Sequence, residues 1–345
     1  MQDDTALLGE APLASVVIPV WNGAKRLSAC LASLQQQVTG YSYEIIVVDD
    51  GSTDDVRASV ARFPQVRLIR QPHLGPSVAR NRGALEARGA IVLFTDSDCC
   101  PCPDWLEAMV RPFIDSPDVV GVSGAYGTDQ TSVVPKLIQA EYDQRYRMLA
   151  RRSSIDFVST DSAGYRRSVF LEYGGFSEAF VKACAEDSDL SYRLSSRQLK
   201  IVFSPQAVVK HYHPDSLWWY WRRKYKYSYW RMLAFRRSPS KMVADSHTPQ
   251  LMKLQSLVGP ATLISLVWDL QRGKVLALPL VLSLYLLSVL PFSIRILRRE
   301  PAVALIAPAA FFGRAVAQFA GAVAGSVRFM TPGGASDEHR VVARH

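Results

Sequence analysis

Apolar residues in the first two hundred positions of the chain form short continuous runs, with longer amphipathic stretches between them. The runs predict β-strands: ASVVIPV, EIIVVDD, VRLIRQ, AIVLFTD and VVGVSGA. The stretches predict helices: Ala24–Gln37, Asp54–Arg62, Pro76–Ala87 and Asp104–Ile114. Continuous apolar strands that alternate with helices are typical of a mostly parallel sheet covered on both faces. The pattern therefore predicts an α/β fold with a ligand site beyond the carboxyl ends of its strands.

The last third of the chain is more apolar. Val275–Ile294 carries no charge and has the ~20 residues that cross a bilayer as a helix. Ala302–Val327 is almost as apolar but contains Arg314, and we interpret it as a second span. Leu257–Trp268 is shorter and is interrupted by Pro260, which leaves a third span, a re-entrant segment and an interfacial helix open.

Charge predicts the orientation of these segments. Basic residues collect in cytoplasmic loops, so we expect Arg295–Glu300 in the cytoplasm. The first residues, MQDDTALLGEAPLA, contain no apolar stretch of signal-peptide length, and we expect the N-terminal domain in the cytosol. Three spans fit both expectations better than two, and they place the C-terminus outside.

Aromatic and basic residues alternate before the apolar segments, in LWWYWRRKYKYSYWR. This mixture, with a formal net charge of +9, is typical of a helix in the headgroup region of an anionic leaflet. Nucleic-acid binding uses similar residues but is less favoured because apolar segments follow. We divide the chain into an N-terminal tail (1–13), an α/β domain (14–215), an interfacial helical region (216–254), membrane segments (255–328) and a disordered tail (329–345).

The five cysteines do not have the spacing of a zinc site. Three of them, Cys99, Cys100 and Cys102, crowd into DCCPCPD, and a tetrahedral site would need a fourth ligand at better separation. We therefore expect reduced cytosolic thiols.

Acidic residues stand where two of the predicted strands end. Asp49 and Asp50 follow EIIVV, beside the end of the first strand with Pro19 and Asn22. A single aspartate there would cap the next helix. Two adjacent ones, at the edge where α/β sheets bind ligands, favour ligand contact.

A second acidic pair, Asp96 and Asp98, flanks Ser97 after AIVLFT. Two carboxylates one residue apart can both reach one hard cation bridging diphosphate oxygens, as Mg²⁺ and Mn²⁺ prefer. Upstream, Arg80 and Arg82 lie near the start of a predicted helix, where anions are favoured. One of the two arginines is sufficient to contact an anion in the crevice, and we favour Arg80.

Glu186 and Asp187 open another predicted helix, where acids ordinarily cap the amide groups. They follow AGYRRSVFLEYGGF, a glycine-punctuated segment that we interpret as a loop and short helix folded over a pocket. This context favours a role in the site for the pair.

Together these motifs resemble those of family 2 glycosyltransferases, inverting enzymes of the GT-A fold. The resemblance covers Ser15–His213 and rests on six ordered motifs: VVIPVWNG, VVDDGSTD, GPSVARNRG, FTDSDCCPCPDWL, AGYRRSVFLEYGGF and EDSDLSYRL. It implies a nucleotide-sugar donor, with a UDP-sugar among the candidates, and a divalent cation. It also implies transfer to an acceptor hydroxyl by a single displacement.

Carried over by position, the resemblance implies that Asp98, with Asp96, binds the cation and that Asp187, beside Glu186, is the catalytic base. His211 is favoured over His213 as a further metal ligand, and a structural histidine is an equal alternative. The residues expected to contact the donor are Pro19, Asn22, Asp49, Asp50, Arg80, Asp96 and Ser97.

The sequence is thus interpreted as a membrane-anchored glycosyltransferase of the cytoplasmic membrane, with its catalytic domain in the cytosol. The expected acceptor is a glycan or a lipid-linked glycan in cell-surface polysaccharide or glycolipid synthesis. A processive polysaccharide synthase is less favoured because the QxxRW motif is missing. A non-catalytic nucleotide-sugar-binding scaffold is the other alternative, and it has no physical need for Asp50, Asp98 and Asp187 together.

Overall fold

The computed structural model describes residues 11–180 and 184–330. Within these residues the chain forms two compact units. The first contains residues 11–127 and 150–211, and the second contains residues 128–149 and 212–330. The second unit begins near the predicted boundary at residue 215, but it also includes residues 128–149, which we had expected in the first domain. The predicted tails, 1–13 and 329–345, fall almost entirely outside the described residues.

An eight-stranded sheet forms the centre of the first unit. Its strands are β1 (Ala14–Val20), β2 (Tyr43–Asp50), β3 (Val66–Gln71), β4 (Ile91–Phe94), β5 (Cys100–Pro101), β6 (Val119–Gly127), β7 (Ala163–Arg166) and β8 (Lys200–Lys210). Their spatial order is β3-β2-β1-β4-β7-β6-β8-β5. Parallel pairing joins β3, β2, β1 and β4, and also β6 and β8. The short strands β7 and β5 are antiparallel to their neighbours, which makes the sheet mixed.

The helices are numbered along the chain: α1 (Ala24–Gln35), α2 (Val56–Ala61), α3 (Pro76–Glu86), α4 (Trp105–Asp115), α5 (Val133–Leu149), α6 (Arg167–Glu172), α7 (Glu186–Ser196), α8 (Leu217–Arg237), α9 (Ser240–Val243), α10 (Gln250–Arg272), α11 (Ala277–Leu297) and α12 (Pro301–Phe329). The four helices predicted before residue 115 are present, with ends shifted by up to two residues. All seven residues of β1, and all of β2 after Tyr43, are buried, as expected for strands covered on both faces.

The second unit is helical. Its helices α10, α11 and α12 are each long and apolar enough to cross a membrane. The segment predicted as short and interrupted at Pro260 is instead one continuous helix of 23 residues. A proline removes one backbone hydrogen bond from a helix. Here Gly259 packs closely on Ala315 of α12, and this tertiary contact supports the helix at the same point.

The turn between α10 and α11 is closed by two residues. Gly273 adopts φ +60°, the left-handed conformation that ends a helix. The Asp269 carboxylate then accepts hydrogen bonds from the backbone N–H groups of Leu276, Ala277 and Leu278, at 2.9 to 3.1 Å. Both features end one helix and start the next, so α10 and α11 form a hairpin.

Candidate active site

The carboxyl ends of β1 and β2 meet at one edge of the sheet. Val20 pairs with Asp49 in the parallel register of the two strands, and Pro19 is buried one position earlier. Beyond the strands, the Asn22 side chain accepts hydrogen bonds from the Thr53 N–H (2.8 Å) and hydroxyl (3.0 Å). Asn22 therefore joins the two loops that leave this edge.

The two aspartates at the end of β2 are buried and are bonded to protein groups. Asp50 accepts hydrogen bonds from the backbone N–H groups of Leu74 and Gly75, both at 2.9 Å, and lies 2.8 Å from the His73 ring. Asp49 accepts a hydrogen bond from the Ser52 N–H at 2.9 Å. In this structure Asp50 therefore fixes the loop that leads into α3.

An aromatic pair lies beside Asp50 at the same edge. The rings of Trp21 and His73 stack with their centroids 4.3 Å apart, at an interplanar angle of 17°. Trp21 is 55 % exposed, so the stack offers a flat surface to solvent. Our sequence reasoning missed both residues. The available signal was their position, each just beyond the end of a predicted strand.

Asp96, Ser97 and Asp98 form a tight turn after β4. The Cys99 N–H donates to the Asp96 carbonyl at 3.0 Å, which closes the turn. Asp98 Oδ2 lies 3.3 Å from Arg26 Nη1 and 3.6 Å from His211 Nε2. Burial raises the pKa of Asp98, but the His211 hydrogen bond and the neighbouring charges outweigh it, and the net effect is a lowered pKa.

His211 reaches this turn because β5 pairs with β8. Cys100 lies opposite Lys210 in that antiparallel pair, so the residue after Lys210 comes next to Asp98. His213 is different, because its ring Nε2 lies 2.9 Å from the Gln139 side chain within the second unit. Of the two histidines considered from the sequence, the structure brings His211 to the acidic turn.

Three potential metal ligands cluster here. The ligand atoms of Asp98, Cys99 and His211 all lie within 4.8 Å of one another, and they form the one such group among residues 11–180 and 184–330. Burial holds the pKa of the Cys99 thiol well above its ordinary value, so the thiol stays protonated and is a weak ligand. All five cysteines carry reduced thiols, with no disulfide among the described residues. A carboxylate and an imidazole therefore remain as the suitable donors.

Arg80 lies between two carboxylates from different parts of the chain. The side chain is 2 % exposed, with Nη2 2.6 Å from Asp96 Oδ1 and Nη1 3.0 Å from Glu186 Oε1. The guanidinium thus joins α3 to the turn after β4 and to the start of α7. Its expected contact with a nucleotide stays a prediction.

The acidic pair at the start of α7 consists of a buried and a partly exposed carboxylate, and both accept hydrogen bonds from backbone N–H groups. Glu186 Oε2 accepts hydrogen bonds from the N–H groups of Cys184 (2.8 Å) and Ala185 (3.1 Å), and its other oxygen meets Arg80. Asp187 is partly exposed. Desolvation and then the charge of Glu186 raise its pKa to about 7. A carboxylate with a raised pKa accepts protons near neutrality, as a general base requires.

Asp161 is a further acid at this edge, and our sequence reasoning missed it. It is 3 % exposed and is hydrogen-bonded to the Ser159 and Tyr126 side chains. Burial raises its pKa to about 6. Because β7 is antiparallel to β4, with Ala163 opposite Phe94, the residues that precede β7 lie at the carboxyl end of β4. The sequence alone does not reveal that strand direction.

Comparisons with known proteins agree on one family. Residues 15–174 match the sequence profile of Glycosyl transferase family 2. The chain is 30 % identical over 213 residues to the pre-mycofactocin glycosyltransferase of Mycobacterium tuberculosis, covering 59 % of this chain and 43 % of that protein. It is 27 % identical over 229 residues to the validoxylamine A glucosyltransferase of Streptomyces hygroscopicus, covering 57 % and 54 %. The chain thus spans about half the length of these curated relatives.

A solved structure shares the fold. The mannosyltransferase of Pyrobaculum calidifontis, in complex with GDP-Man and Mn²⁺, superposes with a TM-score of 0.58 at 20 % sequence identity. The superposition covers 91 % of this chain and 87 % of the mannosyltransferase.

Proposed function

Because residues 15–174 are a family 2 glycosyl transferase domain within a GT-A fold, we propose that the protein transfers a sugar from a nucleotide-diphosphate sugar to an acceptor hydroxyl. The observation that carries the proposal is the acidic edge of the sheet. There Arg80 joins Asp96 to Glu186, beside Asp187 on one side and the Asp98–His211 pair on the other. Relatives named as glycosyltransferases support the proposal.

A divalent cation, Mg²⁺ or Mn²⁺, is part of the proposal. The donor set suits such an ion, because Asp98 and His211 supply an oxygen and a nitrogen within 4.8 Å of each other. The mannosyltransferase of similar fold was solved with Mn²⁺ and GDP-Man. Asp98 and His211 would hold the ion, and Asp96 would share it while one of its oxygens stays with Arg80. When bound, the ion neutralises charge on the departing diphosphate.

Asp187 is proposed as the general base. It would take the proton from the acceptor hydroxyl as that oxygen attacks the anomeric carbon from the face opposite the nucleotide. The bond to the diphosphate breaks as the new bond forms, so the configuration inverts. A pKa of about 7 keeps a large fraction of Asp187 unprotonated in neutral solution while it remains basic enough to accept the proton.

The nucleotide is proposed to lie along the ends of β1 and β2. Pro19, Asn22, Asp49, Asp50 and Ser97 would line it. The flat, exposed Trp21–His73 stack would pack against the base, since aromatic faces bind aromatic ligands by stacking. We also propose Arg80 as a positioning residue that holds Asp96 and Glu186 while the donor binds.

The C-terminal helices support a membrane location for the reaction. Three of them have the length and apolarity of membrane spans, and an anchored enzyme meets acceptors at the bilayer surface. We therefore propose a glycan or lipid-linked glycan acceptor at the cytoplasmic face of the cytoplasmic membrane.

The test is donor consumption by the detergent-purified full chain. UDP-, GDP- and dTDP-sugars are supplied with Mn²⁺, with Mg²⁺ or with a chelator, and release of the nucleoside diphosphate is measured. We expect consumption of one donor that stops in chelator, and about 10²-fold or greater loss in Asp98→Asn and His211→Ala. Calorimetric titration of Mn²⁺ into the same variants separates lost metal binding from lost chemistry.

Two outcomes would overturn the proposal. Binding of a donor without consumption of any donor would favour the nucleotide-sugar-binding scaffold. Undiminished consumption in chelator would remove the cation from the mechanism. Product length, measured by mass spectrometry, distinguishes a single addition from a processive polymer.

A further inference from the structure

Arg314 occupies the middle of α12, the last of the three apolar helices. The residue is 2 % exposed. Its guanidinium lies 3.3 Å from Glu141 on α5 and donates to the Gln255 side chain on α10. Position 314 is close to the centre of a helix that runs from 301 to 329. If α12 crossed a bilayer, this arginine would lie near the centre of the hydrocarbon.

The partners of Arg314 bring further charges to the same point. Glu141 Oε1 lies 2.6 Å from Lys224 Nζ on α8 and 3.7 Å from Arg145 Nη2 on its own helix. Four charged side chains from α5, α8 and α12 therefore meet at the midpoint of α12. A spanning α12 would draw all four into the region of the bilayer where charges are most costly.

Helix α8 packs along the second half of α12. The Trp221 indole donates to the Ala310 carbonyl at 2.8 Å, and the Ser228 hydroxyl donates to the Gln318 carbonyl at 2.7 Å. Further along, the rings of Trp230 and Phe329 lie 5.5 Å apart. The two helices run in the same direction, in contact from residue 310 to residue 329.

Glycines in α12 allow this close packing. A Cβ atom on Gly321 would lie 2.3 Å from the Tyr225 carbonyl oxygen, and one on Gly325 would lie 2.3 Å from the Tyr229 carbonyl oxygen. Backbone meets backbone here, so α8 and α12 must occupy the same depth in a membrane.

The composition of α8 determines which depth is possible. The helix carries seven basic residues: Arg222, Arg223, Lys224, Lys226, Arg231, Arg236 and Arg237. Its exposed face combines Trp218, Trp219, Arg222, Tyr225 and Lys226, at the i, i+3, i+4 spacing of one helical side. Aromatic and basic residues on one face are typical of a helix at the headgroup level of an anionic leaflet.

The hairpin of α10 and α11 has the opposite character. Most of its exposed side chains between residues 263 and 287 are large and apolar: Leu263, Ile264, Leu266, Val267, Trp268, Leu270, Val275, Leu276, Leu280, Leu282, Leu284, Leu286 and Leu287. At about 1.5 Å per residue, α10 with its 23 residues is about 35 Å long, enough to cross a core of ~30 Å. The turn at its end carries Arg272 and Lys274, which suit the far headgroup layer.

We propose that α8 and α12 lie side by side in the plane of the membrane, in the headgroup layer of an anionic leaflet, and that α10 and α11 alone cross the bilayer. The exposed large apolar side chains in the second half of α12, Phe319, Val323 and Val327, would face the acyl chains. The C-terminus then returns to the side on which α10 begins. Three spans, as expected from the sequence, would place it on the other side. The proposal does not depend on the proposed catalytic activity.

The test uses the full chain with one epitope tag, inserted between Gly273 and Lys274 or added to the C-terminus. Antibody binding to spheroplasts is compared before and after permeabilisation. We expect the tag at the turn to bind antibody before permeabilisation and the C-terminal tag to bind only afterwards. A tag between Arg298 and Arg299 is the matched control, because it is cytoplasmic under two or three spans.

Two results would overturn the proposal. Antibody binding to the C-terminal tag on intact spheroplasts would show that α12 crosses the bilayer. A turn tag that binds only after permeabilisation would show that the hairpin is re-entrant. Elution of a tagged protein as a single peak in detergent shows that the insertion leaves the fold intact. A variant that does not elute in this way is replaced by an insertion at a neighbouring position in the same turn.

Discussion

Replacing Arg80 by methionine tests whether this buried arginine holds the acidic edge together. Methionine keeps the unbranched side chain and removes the charge. Asp96 is 31 % exposed, so water can replace the guanidinium there at small cost. Glu186 is 2 % exposed and cannot be rehydrated in the same way. Removal of one partner from a buried ion pair costs about 3–5 kcal/mol, and we expect the lower end because one of the two carboxylates is partly hydrated.

Thermal unfolding of the purified protein measures this loss. About 3 kcal/mol corresponds to a midpoint lowered by about 6–12 °C for a unit of this size. Arg82→Met is the matched control on the same helix, because Arg82 is 52 % exposed and pairs with Glu86, an i,i+4 contact worth about 0.3–0.5 kcal/mol. The double variant Arg80→Met/Glu186→Gln should recover part of the loss, since a buried amide costs less than a buried carboxylate. Equal midpoints for the Arg80 and Arg82 variants would refute the reasoning.

Two further predictions concern chemistry and packing. Because the Asp187 pKa is raised to about 7 and a base acts only when unprotonated, kcat/KM should fall about tenfold per pH unit below pH 7 and level off above it. Asp187→Asn should lower kcat by about 10²–10⁴-fold, whereas the control Glu172→Gln, at an exposed position, should leave kcat unchanged. A flat pH profile would contradict the assignment of Asp187 as the general base. Gly321→Ala should lower the thermal midpoint, because the new methyl group would meet the Tyr225 carbonyl oxygen at 2.3 Å. Gly40→Ala should leave the thermal midpoint unchanged, because the space around Gly40 is open. Equal midpoints for the two variants would show that the close contact between α8 and α12 does not contribute to stability.

Continuous apolar runs were sufficient to predict most of the fold, and the predicted GT-A class is confirmed by the structural likeness. The strands β1 to β4 and β6 appear where their runs predicted them. The short antiparallel strand β7 was missed, because AGYR has too few residues to show a period of two. β5 has two residues, and its pairing with β8 depends on tertiary contacts that local patterns do not encode.

The candidate site was predictable where its residues stand next to strand ends. Asp49 and Asp50 follow one apolar run, Asp96 and Asp98 lie within three residues of the end of another, AIVLFT, and their position at one edge follows from parallel pairing. The ion pairs of Arg80 were not predictable, because its partners lie 16 and 106 positions away. Asp161 was missed because its place depends on the direction of β7. The catalytic, donor and metal roles of these residues stay predictions.

The order of the two units along the chain limits how the protein can be divided. Residues 128–149 leave the first unit after β6, and the chain returns to it at residue 150. The family match ends at residue 174, before α7 and before β8, which pairs with β6 over most of its length. A fragment cut at residue 174 would leave β6 with an open edge, and such edges promote aggregation. No single cut in the chain therefore separates the two units. A gene fusion or domain exchange that preserves the first unit must either include the second unit or replace residues 128–149 with a linker.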